Sequence, residues 1–134
     1  IEKSMMNSEI GFGRKVLEAL ENHKICFEHL PSGIDTMSVV VNDDDFLKNK
    51  DAILNDIQRR TKADSVTVNG GIALIAVVGR NLTENIGIAG KIFTALGSNG
   101  INIRLIEQGA DEVNIIIGVE DKDFKKAIRV LHDF

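Results

Sequence analysis

The chain has 134 residues, 43% hydrophobic and 27% charged, with a net charge of −4 and one cysteine, Cys26. That length fits one domain or two very small ones, and the composition is that of an ordinary globular protein. The acidic balance argues against nucleic acid and anionic membrane as partners, a lone cysteine suits a reducing cytoplasm, and the longest apolar stretch, Ile72 to Val78, is too short to span a bilayer.

Residues 1–5 read as a shortened opening strand. The turn Asn7-Ser8-Glu9-Ile10-Gly11-Phe12-Gly13 leads into a helix over 8–23, whose apolar stripe is Phe12, Val16, Leu17 and Leu20. Strands follow at 25–30 and 37–41, separated by a turn at Pro31-Ser32-Gly33-Ile34. A helix over 44–62 carries Phe46, Ile53, Leu54 and Ile57 on one face, and a short strand sits at 65–68. Asn69-Gly70-Gly71 turns the chain into a strand over 72–78. The next helix bears Ile88, Ile92, Phe93 and Leu96 and stops at Asn99-Gly100. Strands at 101–106 and 113–117 flank a turn at Gln108-Gly109-Ala110. A last helix over 121–132 shows Phe124, Ala127, Ile128 and Leu131 at helical spacing.

Residues 10–45 repeat at 86–121 without a gap, at an offset of 76, with nine of the 36 aligned positions identical. Chance at ordinary composition would give roughly two. The chain is therefore two copies of one module. Each reads β-α-β-β-α-β, an α+β class: an α/β sandwich of two ferredoxin-like modules with helices on one face of antiparallel sheets. The expected division is 1–70 and 71–134. The first module's opening strand is truncated. The second lacks a closing strand, which a parent chain could supply from upstream of Ile1; a start on Ile rather than Met also suggests a fragment.

This topology hosts unrelated functions, so the site must decide. Base stacking on RNA would need strand aromatics, and only Phe27 qualifies. Cys26 stands alone, His23, His29 and His132 lack ligand spacing, and no nucleophile has a positioned base, so neither a metal site nor a catalytic site is expected. The glycine turn is different. Free amides at a helix start favour a small anion such as a carboxylate, and Gly11 and Gly13 admit a ligand close to the backbone. The alternative is that Gly11 and Gly87 only let helix pack on sheet. Glu28 lies on the strand after the helix, where the second copy has Arg104. Amides for a carboxylate and Glu28 for an ammonium would make a receptor for a free amino acid. The plainer reading leaves Glu28 a solvated strand residue.

Several stretches resemble the C-terminal regulatory region of bacterial aspartokinases. They are Glu2-Lys3-Ser4-Met5-Met6-Asn7, Ile10-Gly11-Phe12-Gly13-Arg14-Lys15 and Phe27 through Asp35 in the first copy. In the second they are Ala76-Val77-Val78-Gly79, Gly87-Ile88-Ala89-Gly90-Lys91-Ile92-Phe93 and Asn102-Ile103-Arg104. The Pro-Ser-Gly-Ile-Asp turn is the more specific motif. The glycine turn is general to amino-acid-binding ACT domains.

The resemblance implies two ACT modules that bind an end-product amino acid, lysine or threonine, at a homodimer interface for feedback inhibition. By position the effector pocket would use Met6, Asn7, Ser8, Gly11, Phe12 and Gly13, with Glu28 for the ligand's amino end and Ser32, Gly33, Ile34 and Asp35 as a neighbouring loop. The kinase domain, with its ATP and magnesium, would lie outside this chain, and this region itself would carry no cofactor. Two alternatives remain: a stand-alone ACT-like amino-acid-binding adaptor, and a small acylphosphatase-like enzyme using Arg14 and Asn7.

Overall fold

A computed structural model describes every residue except 80, 81, 83, 110–113 and 134. The chain forms two compact units, Ile1–Val68 and Asn69–Phe134.

In the first unit, α1 (Phe12–Asn22) buries Phe12, Val16, Ala19 and Leu20 along one stripe. β1 (Phe27–His29) pairs antiparallel with β2 (Val40–Val41) through Phe27 with Val41 and His29 with Val40. The ladder continues as single bridges. Ser32 faces Met37, and Glu2 lies between Thr36 on one side and Ser65 on the other. The resulting antiparallel order is Ser65, Glu2, the segment leading into β2, then β1 at the outer edge. That is the four-strand order of a ferredoxin-like sheet, compressed to short pairings.

The expected strand at 65–68 reduces to one bridge because its partner supplies one ladder position. After Glu2 the chain leaves the sheet: the Ser4 amide donates to Asp64 Oδ2 at 2.8 Å, and Met5 turns left-handed at φ 62°. The helix expected from residue 8 starts at Phe12 instead, preceded by a single tight turn over Met6–Ser8.

The expected helix over 44–62 is two helices, α2 (Asp43–Leu47) and α3 (Lys50–Thr61). The Asn42 side chain caps α2 by accepting from the Asp44 and Asp45 amides. Asn49 then leaves helical geometry at φ −133°, ψ 30°. Asparagine competes poorly for helix interiors, so the break falls there. Phe46, Ile53 and Ile57 still reach one core with Ala19, Leu20 and Ile25.

Charge also joins α1 to α3. Asp56, with its side chain 10% exposed, accepts from Arg59 and Arg60 at 2.7 Å each and faces His23 Nε2 at 3.3 Å. Arg60 also reaches Glu18 at 3.3 Å. Burial raises the Asp56 pKa, but the hydrogen bonds and charges of the two guanidinium groups outweigh it and hold the carboxyl below its ordinary value.

The second unit is a three-stranded antiparallel sheet, β3 (Ile72–Val78), β5 (Asn114–Glu120) and β4 (Ile103–Glu107), in that spatial order. With α4 (Ile88–Ser98) and α5 (Phe124–His132) it encloses Ile75, Ile92, Leu96, Ile115, Ile117, Val119 and Ala127. Among the described residues, β3 has no strand on its outer edge. The expected start of β5 at Val113 and the end of the turn at Ala110 lie outside the described residues.

The repeat is exact at α1 and α4. Shifting α1 by 76 reproduces the bounds of α4. Both helices end alike: Ile25 N–H donates to the Leu20 carbonyl and Ile101 N–H to that of Leu96, at 2.9 and 3.0 Å. The residue before each is left-handed, Lys24 at φ 58° and Gly100 at φ 73°.

Three outcomes follow from these contacts. Lys24→Gly gives copy one the glycine of copy two and removes Cβ strain, raising stability by about 1 kcal/mol in urea unfolding. Gly118→Ala puts a Cβ 2.8 Å from Leu105 Cβ and 3.2 Å from Ile72 Cγ2. Overpacking of this kind lowers stability by roughly 1–3 kcal/mol, read in the same assay. The pKa of Asp56 is lowered in the fold, so its contribution is present above the ordinary aspartate value and is lost as pH falls from that value through the lowered one. The urea midpoint should drop as pH falls below about 5, and less steeply in Asp56→Asn.

Candidate functional site

Helix starts define the candidate site. Gly11 (φ 82°, ψ 8°) and Gly87 (φ 83°, ψ 3°) are superimposable left-handed caps, and neither helix receives a side-chain cap. Glycine takes this geometry without steric penalty. Phe12 N–H donates to the Glu9 carbonyl at 3.4 Å, and Lys15 N–H to that of Gly11 at 3.1 Å. Between them, the Gly13 and Arg14 amides have no acceptor among the described residues. The second copy matches: Ile88 donates to Asn85, Lys91 to Gly87, and the Ala89 and Gly90 amides have no described acceptor. Two free donors with the helix dipole behind them suit a carboxylate.

Beside the first of these starts lies a tight hairpin tip. Gly33 N–H donates to the Thr36 carbonyl and Ser38 N–H to that of Pro31, both at 2.7 Å. The tip grips the segment leading to the helix. Asn7 N–H donates to the Ile34 carbonyl at 3.1 Å, Lys3 N–H to the Asp35 carbonyl at 2.9 Å, and Met5 N–H to Asp35 Oδ1 at 3.0 Å. Residues 6–8 and 33–35, far apart in sequence, therefore adjoin. Asn7 and Ser8 are exposed. Met6 and Phe12 are 7% and 3% exposed and pack with Val16 and Met37, so they offer the site backbone rather than side chain. A Cβ on Gly13 would meet Met37 Cε at an ordinary 3.7 Å, so a methyl group fits there; copy two has alanine at the matching position. At Gly33 a Cβ would come 3.0 Å from Thr36 Oγ1, so the tip is closely packed.

Glu28 stands apart. It is exposed on the outer strand β1, with no hydrogen bond or ion pair to the helix start. From Phe27 the chain returns along α1 at about 3.3 Å per residue, so Ser32–Asp35, not Glu28, come level with the helix start. In copy two, Arg104 pairs with Glu120 at 3.5 Å. Arg14 turns to Glu18 at 3.0 Å, one helical turn along the surface of α1. Its Nε would lie 3.8 Å from a Cβ on Gly11, so the side chain passes beside the turn while its guanidinium pairs with Glu18.

Two features carried no signal in the sequence. One is a concavity of 440 Å³ in the second unit between Leu82, Asn85, the Gly87–Ala89 helix start and Gln108-Gly109. Gln108 and Gly109 are the repeat equivalents of Ser32 and Gly33. The other is an ion pair in the first unit, Lys3 Nζ to Glu9 Oε1 at 2.6 Å.

Known proteins fit this geometry. Residues 75–133 match the ACT domain family. Aspartokinase 3 of Bacillus subtilis is 37% identical over 98% of the chain, which spans 29% of that protein's length. The Clostridium acetobutylicum aspartate kinase structure superposes with a TM-score of 0.95 at 44% identity, over 99% of this chain and 31% of that one. The regulatory subunit of Thermus thermophilus aspartate kinase gives 0.78 at 25% identity, over 93% of this chain and 82% of that subunit. The correspondence takes in nearly the whole chain and under a third of the full-length kinases. Over nearly its whole length the chain is similar to the regulatory region of aspartokinases, and its second unit matches the ACT domain.

Proposed function

We propose that this chain senses a free end-product amino acid, lysine or threonine, and that its first unit binds it at the turn over Met6–Gly13. The uncapped helix start carries this reading: the Gly13 and Arg14 amides are free to take the ligand carboxylate. Asn7, Ser8 and the Ser32–Asp35 tip line the rest. Two copies would meet along the outer edge of β1. Glu28 lies on that edge, so it would face a ligand across the interface and accept from its ammonium.

Binding between two copies favours whichever arrangement of the dimer holds the ligand better. A difference of about 1–3 kcal/mol between arrangements is a typical coupling. In the parent enzyme, which would transfer phosphate from ATP to the aspartate side chain with magnesium in a separate domain, this would lower activity in the cytoplasm when product accumulates. The likeness to a regulatory subunit of nearly the same length supports a second form of the same reading, in which such a region works as its own chain.

Calorimetry with lysine and with threonine, at millimolar ligand and with dimer confirmed, should give saturable heat from one of them. Silence from both would end the proposal. Glu28→Ala should weaken binding about tenfold, the worth of one charge-assisted hydrogen bond, and Arg104→Ala by less than about twofold. Equal effects would assign the effector to the other unit.

A further inference from the structure

The segment that shapes the turn has almost no regular structure. Residues 3–9 hold one tight turn, and Met5 sits in the left-handed region at φ 62°, a conformation that persists only where its surroundings over-determine it. The hairpin tip holds the segment from one side through Asp35 and Ile34, and a single ammonium braces it from the other. Lys3 Nζ donates to Glu9 Oε1 at 2.6 Å and to the Thr61 carbonyl at 2.8 Å, and lies 5.8 Å from the centre of the Phe12 ring. The Lys3–Glu9 pair closes a loop around Ser4–Ser8. The bond to Thr61 ties that loop to the last turn of α3, where a cation meets the negative end of the helix. Thr61 itself is fixed: it is 1% exposed, and its hydroxyl donates to the Ile57 carbonyl at 2.7 Å.

Glu9 is the other half of the staple. Its Oε2 is buried without a hydrogen bond, and Lys15 Nζ lies 3.8 Å from it. The Lys3 hydrogen bond, foremost, holds its carboxyl below the ordinary glutamate value. Without Lys3, a half-buried carboxylate and the Thr61 carbonyl would both lose their main partner. Glu9 also accepts from Phe12 N–H through its own carbonyl, so any shift of Glu9 is passed directly to the helix start.

We infer that Lys3 and Glu9 are positioning residues for the effector turn. Joined across it and anchored to α3, they hold Asn7–Gly13 in the geometry that leaves the Gly13 and Arg14 amides open, without touching the ligand themselves. This rests on the reading above.

Amide hydrogen exchange and calorimetry on the whole chain test it, using Lys3→Met, Lys3→Arg and Glu9→Gln. Lys3→Met and Glu9→Gln should speed exchange of the Ser4–Glu9 amides by about tenfold and leave the centre of α1 and the strands of the second unit unchanged. Their affinity for the effector should fall about tenfold while protection in the centre of α1 is retained, and Lys3→Arg should restore affinity and local protection. Unchanged exchange in residues 4–9 overturns the staple, as does uniform loss of protection with a lowered melting temperature. Faster local exchange with unchanged affinity overturns the link to the effector. Local loosening in a chain whose wild type binds neither lysine nor threonine refutes the sensor reading and leaves the staple standing.

Discussion

A helix that begins with a left-handed residue cannot be capped in the usual way. Gly11 and Gly87 turn the incoming chain so that no side chain reaches the first-turn amides, and the donors stay open. Three parts of the first unit hold that turn in place. The buried face of α1 sets the helix axis through Val16, Ala19 and Leu20. The hairpin tip holds the approach from one side and the Lys3 ammonium from the other. The second unit keeps the same helix start but stocks its surroundings with neutral groups, Leu82, Asn85 and Gln108, around a hollow.

The nine positions shared by the two copies sort by physical cause. Gly11 and Gly87 answer to backbone geometry. Ala19, Leu20 and Ile25 with Leu96 and Ile101 answer to packing, since all are buried. Ile10 and Ile86 answer to neither: they are 99% and 100% exposed. Packing inside each unit gives no reason for an isoleucine there. Divergence falls on the charged surface: the Arg14–Glu18 pair becomes Gly90 and Thr94, and Glu28 becomes Arg104.

What sequence could reveal depended on periodicity. The stripes of α1 and α4, the glycine caps and the order of elements were legible because each rests on neighbours in the chain. The break at Asn49 was hidden because the apolar spacing from Phe46 to Ile53 runs on as if one helix continued. The short strands were hidden because their length depends on a distant partner, Glu2, that supplies a single ladder position. Of the site, the Met6–Gly13 turn and the Ser32–Asp35 loop were legible as motifs, and they do adjoin. The separation of Glu28 from them could not be read, since a strand residue's distance from a helix start is a matter of how far the chain has returned. The Lys3–Glu9 staple has no periodic signature at all.

The outer side of β3 has a material consequence. Seven consecutive residues, Ile-Ala-Leu-Ile-Ala-Val-Val, carry no charge and no proline, and their backbone polar groups on that side meet no other described strand. Natural sheets guard such margins with lysines, prolines or bulges. An unguarded margin is a template, on which any extended, apolar polypeptide can be seated as the next rung. An extended segment of about seven residues, lying antiparallel or parallel to β3, would satisfy those groups and complete the row.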